Sequence, residues 1–213
     1  AGLYEGTLMQ VGFGVDFLDV DNDSDLDLFV TNGHVIDNIE LTDDSQSFPQ
    51  PSQLFINDGS GRFSLVGNDL SGDISTPGVG RGTMTFDFDN DGSLDVLVTR
   101  NNGPVNLYRN NWPEAGNWIG FDLQGRDGNR DAIGAHVTVD AGGKSMVAQK
   151  TAGSSYQTSG DPRLHFGLGA ASEASLVTVR WPGGVSESFE NLQGGRYYRL
   201  VQGAGSPIAL PEG

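Results

Sequence analysis

Cysteine is absent from the 213 residues. That excludes disulfides, thiolate zinc sites and cysteine nucleophiles, and it leaves the compartment open, since both exported and cytosolic chains lack it. Cations are scarce: 12 Lys and Arg stand against 28 Asp and Glu, a formal charge of −16. Phosphate-directed binding of nucleic acid needs a Lys/Arg surface, so that class of partner is excluded. No apolar run approaches the ~18–20 residues of a membrane-spanning helix. Only three histidines occur, His34, His136 and His165, in no metal-ligand spacing. No GxSxG elbow and no GxGxxG loop is found; Gly143-Lys144-Ser145 echoes the end of a phosphate loop without the glycine that should open it. Amphipathic helices are missing too, with at most a turn over 37–45 or 170–174. The chain opens Ala1-Gly2-Leu3 with no Met and no leader, which reads as a mature product or a fragment.

What the sequence does hold is aspartate and glycine. Asp outnumbers Glu 21 to 7, and there are 32 Gly. Glu suits helices, whereas Asp and Gly suit turns, caps and metal loops. The charge is unevenly placed. Residues 1–112 carry a net −14 and residues 113–213 a net −2, which sets a boundary at the turn-rich 112–116 and assigns the use of the negative charge to the first half.

The first half repeats itself. Residues 12–31, GFGVDFLDVDNDSDLDLFVT, match residues 80–99, GRGTMTFDFDNDGSLDVLVT, at 10 of 20 positions. A second match, 54–57 with 107–110, comes at a shorter lag, so the first repeat carries an insertion over 34–51, either a tolerated loop or a lid. Strand-like runs fall at 11–17, 26–31, 53–57 and 62–66, then at 82–88, 94–99 and 105–110. They are short, rich in Val, Phe, Leu and Thr, and bounded by Gly, Asn and Asp. Four short strands per ~55–65 residues is the unit of a propeller blade. Residues 113–202 show seven more such runs at ~10-residue spacing, the pattern of a small β-sandwich or jelly roll. The expected fold is therefore all-β: two four-stranded propeller-type blades (1–112), a sandwich (113–202) and an arm (203–213).

Each repeat places acidic residues on alternate positions of a nine-residue loop: Asp19, Asp21, Asp23, Asp25 and Asp27, then Asp87, Asp89, Asp91, Ser93 and Asp95. Such density repels itself without a cation, and a hard divalent ion takes six to eight oxygens at ~2.3–2.6 Å. Position 7, Asp25 or Ser93, needs to offer only its backbone carbonyl. Position 6 turns sharply and favours Gly; Gly92 fits and Ser24 does not. The loops close on Asp at position 9 between strands, unlike an EF-hand, which closes on Glu at position 12 between helices. Two calcium sites are expected, against the alternatives of solvated turns or catalytic carboxylates. Asp131 with Arg163 is expected as an internal ion pair. Trp112, Trp118, Trp181, Tyr197 and Tyr198 are expected in packing, with sugar stacking as the alternative.

These segments resemble a known group. GFGVDFLDVDNDSDLDLFVTNGH, NDGSGRF and TFDFDNDGSLDVLVTRNNGPVNLYRN are similar to FG-GAP/VCBS repeats. WIGFDLQGRDGNRDAIGAHVTV, SSYQTSGDPRLHFGLG and VTVRWPGGVSESFENL resemble the ASPIC/UnbV domain. Repeats followed by that domain are the order of the cartilage acidic protein-like family. The resemblance implies calcium at the loop residues above and supplies no catalytic residue. It implies a secreted or cell-surface location, with the bacterial periplasm as the variant, and a role in adhesion, protein–protein interaction or self-assembly; a glycan-binding module, or the end of a larger enzyme, is the alternative. Family propellers have about seven blades and two cannot close a ring, so bare faces are expected to be covered by other subunits, by copies of the chain or by the remainder of a longer polypeptide.

Overall fold

The computed structural model describes residues 2–67, 72–126 and 128–211. It is all-β, with four separate sheets and one short helical turn at each of three places. The first sheet is a meander of β1 (Gly12–Leu18), β2 (Asp27–Asn32), β3 (Gln53–Asn57) and β4 (Phe63–Leu65), paired antiparallel in chain order. A second meander contains β5 (Gly80–Phe86), β6 (Asp95–Arg100) and β7 (Asn106–Tyr108). The expected fourth strand is not found in this sheet among the described residues. In the first unit an Asp58–Gly61 turn leads from β3 into β4; the second unit has Trp112-Pro113 after β7 instead. Proline cannot continue a ladder, and Trp112 packs into the core between the two sheets.

That core joins Leu18, Val20, Phe29 and Leu54 of the first sheet to Val96 and Val98 of the second. The opposite face of the first sheet carries Leu28, Val30 and Phe55, which pack with Leu3 and Phe63. All six residues of β2 are therefore buried, its apolar Leu28, Phe29 and Val30 standing in succession and not in alternation. A one-turn helix, α1 (Tyr4–Thr7), approaches this outer face: Gly6 lies against the Phe55 ring, and Gln53 Nε2 donates to Gly6 O at 2.6 Å. No helical signal marks α1 in the sequence; it is set by tertiary contact. The 34–51 insertion contains only a 3-10 turn, Ile39–Leu41, and is tied down by a Gln50–Gly78 bridge and by Arg81, which donates to Gly33 O and His34 O.

Two further sheets form a sandwich. One is β10 (Lys144–Gln149), β9 (His136–Ala141), β12 (Glu173–Arg180) and β13 (Ser186–Gln193) in that order; the other is β11 (Leu164–Gly169), β8 (Asn117–Gln124), β14 (Arg196–Val201) and β15 (Ile208–Ala209). Between them lies one core of Ile119, Phe121, Phe166, Leu168 and Leu200 against Val137, Val139, Val177, Val179 and Trp181. Part of the tail expected as an arm is instead a strand: β15 pairs with Tyr198 and Arg199, and Leu210 N donates to Tyr197 O. Residues 212–213 lie outside the described residues.

The two halves interlock. Gly14 on β1 packs against the backbone of Arg81 and Thr83 on β5. Gly82, its counterpart one repeat later, packs against Tyr156 and Thr158 from the sandwich. Thr158 Oγ1 donates to Thr83 O at 2.6 Å, Asp161 N donates to Thr85 O, and Val15 N donates to Ser155 Oγ. A segment of the sandwich thus lies where the inner strand of another blade would lie. With α1 and Leu3 on the other flank, the two blades are covered in part from within the chain, and Phe17, Leu26, Leu65, Phe88 and Leu107 remain exposed on them. The cover depends on the glycines: at Gly14 and Gly82 a Cβ would collide with the neighbouring backbone, so both positions exist to admit another chain segment at close range.

Candidate metal centres

Both aspartate loops follow directly on an inner strand, β1 or β5, and lead into its partner, β2 or β6. The backbone enters the left-handed region at the same two positions in each: Asn22 and Asn90 at φ 58° and 59°, then Ser24 and Gly92 at 80° and 87°. Ser24 thus takes the conformation that the other loop gives to glycine.

In the first loop, Asp19 Oδ1 and Oδ2 accept from Asp23 N and Ser24 N, each at 2.9 Å, folding the loop back over its own first residue. Asp27 accepts from Val20 N and from Asn57 N on β3, again at 2.9 Å. Asp21 Oδ1 is buried with no hydrogen-bond partner. Asp19, Asp21 and Asp27 each place a carboxylate oxygen within 4.8 Å of the others. Asp23 and Asp25 stand outside that cluster: Asp23 Oδ1 accepts from Asp25 N, and Asp25 pairs with Lys144 at 3.0 Å.

In the second loop the cluster is Asp87, Asp89 and Asp91. Asp87 Oδ2 accepts from Gly92 N and from the Tyr197 hydroxyl, while Asp87 Oδ1 and Asp89 Oδ1 are buried without partners. Arg109 bridges Asp89 at 2.8 Å and Asp91 at 3.2 Å. Ser93 contributes its backbone amide to Asp91 Oδ1. Asp95 lies outside the cluster, with both oxygens taken by Phe88 N and Asn110 N. The second repeat match is equivalent in space too: the backbone amides of Asn57 and Asn110 hold the position-9 aspartates.

Burial dominates the electrostatics. It pushes the Asp19 carboxyl up to about 7 and those of Asp27 and Asp95 up to about 6, and it raises Asp21 and Asp87 as well; neighbouring aspartates add to the rise. A cation among these carboxylates would offset the burial and the mutual repulsion that raise them. The donor set is oxygen only, and three of its oxygens are buried without a partner. Both facts fit a hard divalent ion. Asp19, Asp21 and Asp27 would hold one, and Asp87, Asp89 and Asp91 the other.

Loop spacing gave no sign of the shell that the sandwich builds around these loops. Arg163 pairs with Asp161 at 2.7 Å, donates to Asp87 O and to Asn90 Oδ1, and lies 3.9 Å over the Tyr197 ring. Its expected partner, Asp131, is not among these contacts; Asp161, two residues away, holds the guanidinium in a fork that Asp131 does not reach. His165 Nε2 bonds Gly92 O, the ring stacks on Trp118, and burial holds its pKa down at about 4. Asn22 Nδ2 donates to the same Gly92 O, linking the two loops. The aromatic residues considered for sugar stacking are used in packing: Trp181 is 1% exposed, Trp118 lies on His165 and Tyr197, and Trp112 joins the inter-blade core.

Residues 19–98 match the family model described as FG-GAP-like repeat, and residues 125–207 match ASPIC and UnbV. Over 120 residues, 53% of this chain, it is 36% identical to cartilage acidic protein 1 of Mus musculus and of Homo sapiens and 33% identical to that of Xenopus tropicalis. The matched part spans 18% of each relative's length.

Proposed function

We propose that this chain, an FG-GAP-like repeat pair leading into an ASPIC and UnbV domain, is a calcium-stabilised, non-catalytic module that binds other proteins outside the cytoplasm. The observation that carries the calcium reading is the set of buried, unpartnered oxygens, Asp21 Oδ1, Asp87 Oδ1 and Asp89 Oδ1, inside two all-oxygen clusters. Calcium tolerates the irregular coordination of a short loop better than magnesium does, and extracellular calcium modules work with dissociation constants of roughly 10⁻⁴–10⁻³ M.

The similarity to proteins named for cartilage supports the extracellular placing. The non-catalytic reading rests on how the carboxylates are used. The position-9 aspartates are committed to backbone amides. Tyr197 is held far above its ordinary pKa by burial and by Asp87 and stays protonated, and His165, pushed down to about 4 by burial, is a weak base enclosed in the core.

Thermal unfolding in EDTA and in excess calcium tests the reading. A site saturated a hundredfold over its dissociation constant adds about 2.7 kcal/mol, so two sites raise the melting temperature of a chain this size by roughly 10–20 °C. Superimposed curves would overturn the calcium role.

A further inference from the structure

A cleft of about 710 Å³ opens between the first aspartate loop and the sandwich. Phe17 and Leu26 line it from the blade side, and residues 145–148 of β10 and 164–167 of β11 from the other. Its volume is in the range of ligand-binding clefts. Two independent features mark it as a seat for something.

The first is Lys150, which lines the cleft and is only 4% exposed. Its backbone is paired through Ala135 O and Gly134 N. Its ammonium has no hydrogen-bond or ion-pair partner among the described residues. The carboxylates in its field are Asp122, Asp161 and Asp131. Asp161 is already bound to Arg163, and Asp122 to Arg199 at 2.8 Å. Asp131 lines the cleft too but makes no ion pair with Lys150, so the ammonium has no fixed acceptor among the described residues, and one brought into the cleft would supply it.

The second is the strand beside it. β10 is the outer strand of its sheet and pairs only with β9. β11 is the outer strand of the opposite sheet and pairs only with β8. The free edge of β10 carries unpaired backbone groups along the cleft wall, with Val147 63% exposed. Such an edge is a template for an added strand, in which the backbone supplies affinity and alternate side chains supply specificity.

We propose that this cleft binds an extended peptide segment of a partner protein, which pairs with the edge of β10, sets one carboxylate side chain on Lys150 and rests apolar side chains on Phe17, Leu26 and Val147. The chain's own charge of −16 repels a run of acidic residues, so the segment recognised is apolar with a single Asp or Glu. This specifies the protein-binding part of the function proposed above and does not depend on its calcium part.

Panning a phage-displayed random heptapeptide library on the intact chain in calcium tests it, followed by fluorescence polarisation with the enriched peptides. The expected consensus is one Asp or Glu between apolar residues. K150M, which keeps the aliphatic stem, weakens binding at least tenfold. Replacing the peptide's Asp or Glu by Asn or Gln weakens binding to the parent chain similarly and changes little with K150M. V147K at the strand edge also reduces affinity. A cooperative melting transition of each variant shows that it is folded; should K150M not fold, the acid-to-amide peptide comparison on the parent chain decides alone. No enrichment, or peptides bound equally with and without their carboxylate, overturns the proposal while leaving the calcium melting result standing.

Discussion

The hydroxyl of Tyr197, on a late strand of the sandwich, donates to Asp87 Oδ2 of the second aspartate loop at 2.9 Å across 110 residues of sequence. Both groups are buried, so the bond is shielded from water and from salt. Tyr197→Phe removes it and leaves the ring between Trp118 and Arg163. A lost hydrogen bond to a charged group costs about 1.5–3 kcal/mol, a fall in melting temperature of roughly 3–12 °C at this chain length. Denaturation of the variant measures it; a change within error would show that the contact carries no weight.

The position-9 aspartates share a backbone-holding role, which Asp27 fills beside its place in the first cluster. Asp27→Asn and Asp95→Asn turn an amide NH₂ toward one of two backbone N–H donors, so both variants lose stability, by about 1–3 kcal/mol, even in EDTA. Asp21→Asn and Asp89→Asn each remove one unit of half-buried negative charge, Asp89 together with its exposed Arg109 pair, so in EDTA they melt close to the parent, while the gain from calcium is reduced. Melting curves of the four variants with and without calcium check the division.

Acidity acts on the metal-free chain in an unusual direction. Asp16, Asp27 and Asp95 lie at about 6 and Asp19 at about 7, above their unfolded values. The fold binds protons more tightly than the unfolded chain, and the stability this gives is lost as pH rises through about 6–7. His165, held at about 4, opposes this only below its unfolded value near 6.5. In EDTA the melting temperature therefore rises on going from about pH 8 to about pH 6.5, and the gain from calcium shrinks over the same interval as protons compete for the carboxylates. A metal-free melting temperature that falls across that interval contradicts the assignment.

Ser24 and Gly92 sit at equivalent positions with equivalent backbone angles. Ser24→Gly relieves a left-handed serine and stabilises the chain by about 1 kcal/mol. Gly92→Ser meets two obstacles, φ +87° and the Trp118 indole, which a Cβ would overlap; the expected cost is about 3 kcal/mol or more. Paired denaturation curves in EDTA read both effects without the metal.

The all-β class, the strand positions and the aspartate loops were legible because each is local. Strand alternation, Gly and Asn at turns, and acidic residues on alternate positions are written within nine residues or fewer. The pairing of Arg163 with Asp161 in place of Asp131, and the partial cover on the blades, were not legible. Each depends on which distant segments meet, as when residues 155–161 run beside β5. The missing fourth strand had a local sign, the Trp112-Pro113 step, but it was read as a boundary and not as a strand that cannot form. Nothing in the spacing of 87–95 points to Tyr197.

That distance has a consequence for synthesis. Domains form in order as a chain leaves the ribosome, yet the second aspartate loop lacks its hydroxyl donor until residue 197 has emerged, and β5 lacks its neighbour until residue 158 has. The nascent blades must wait about a hundred residues with the second loop short of its hydroxyl partner and one flank open.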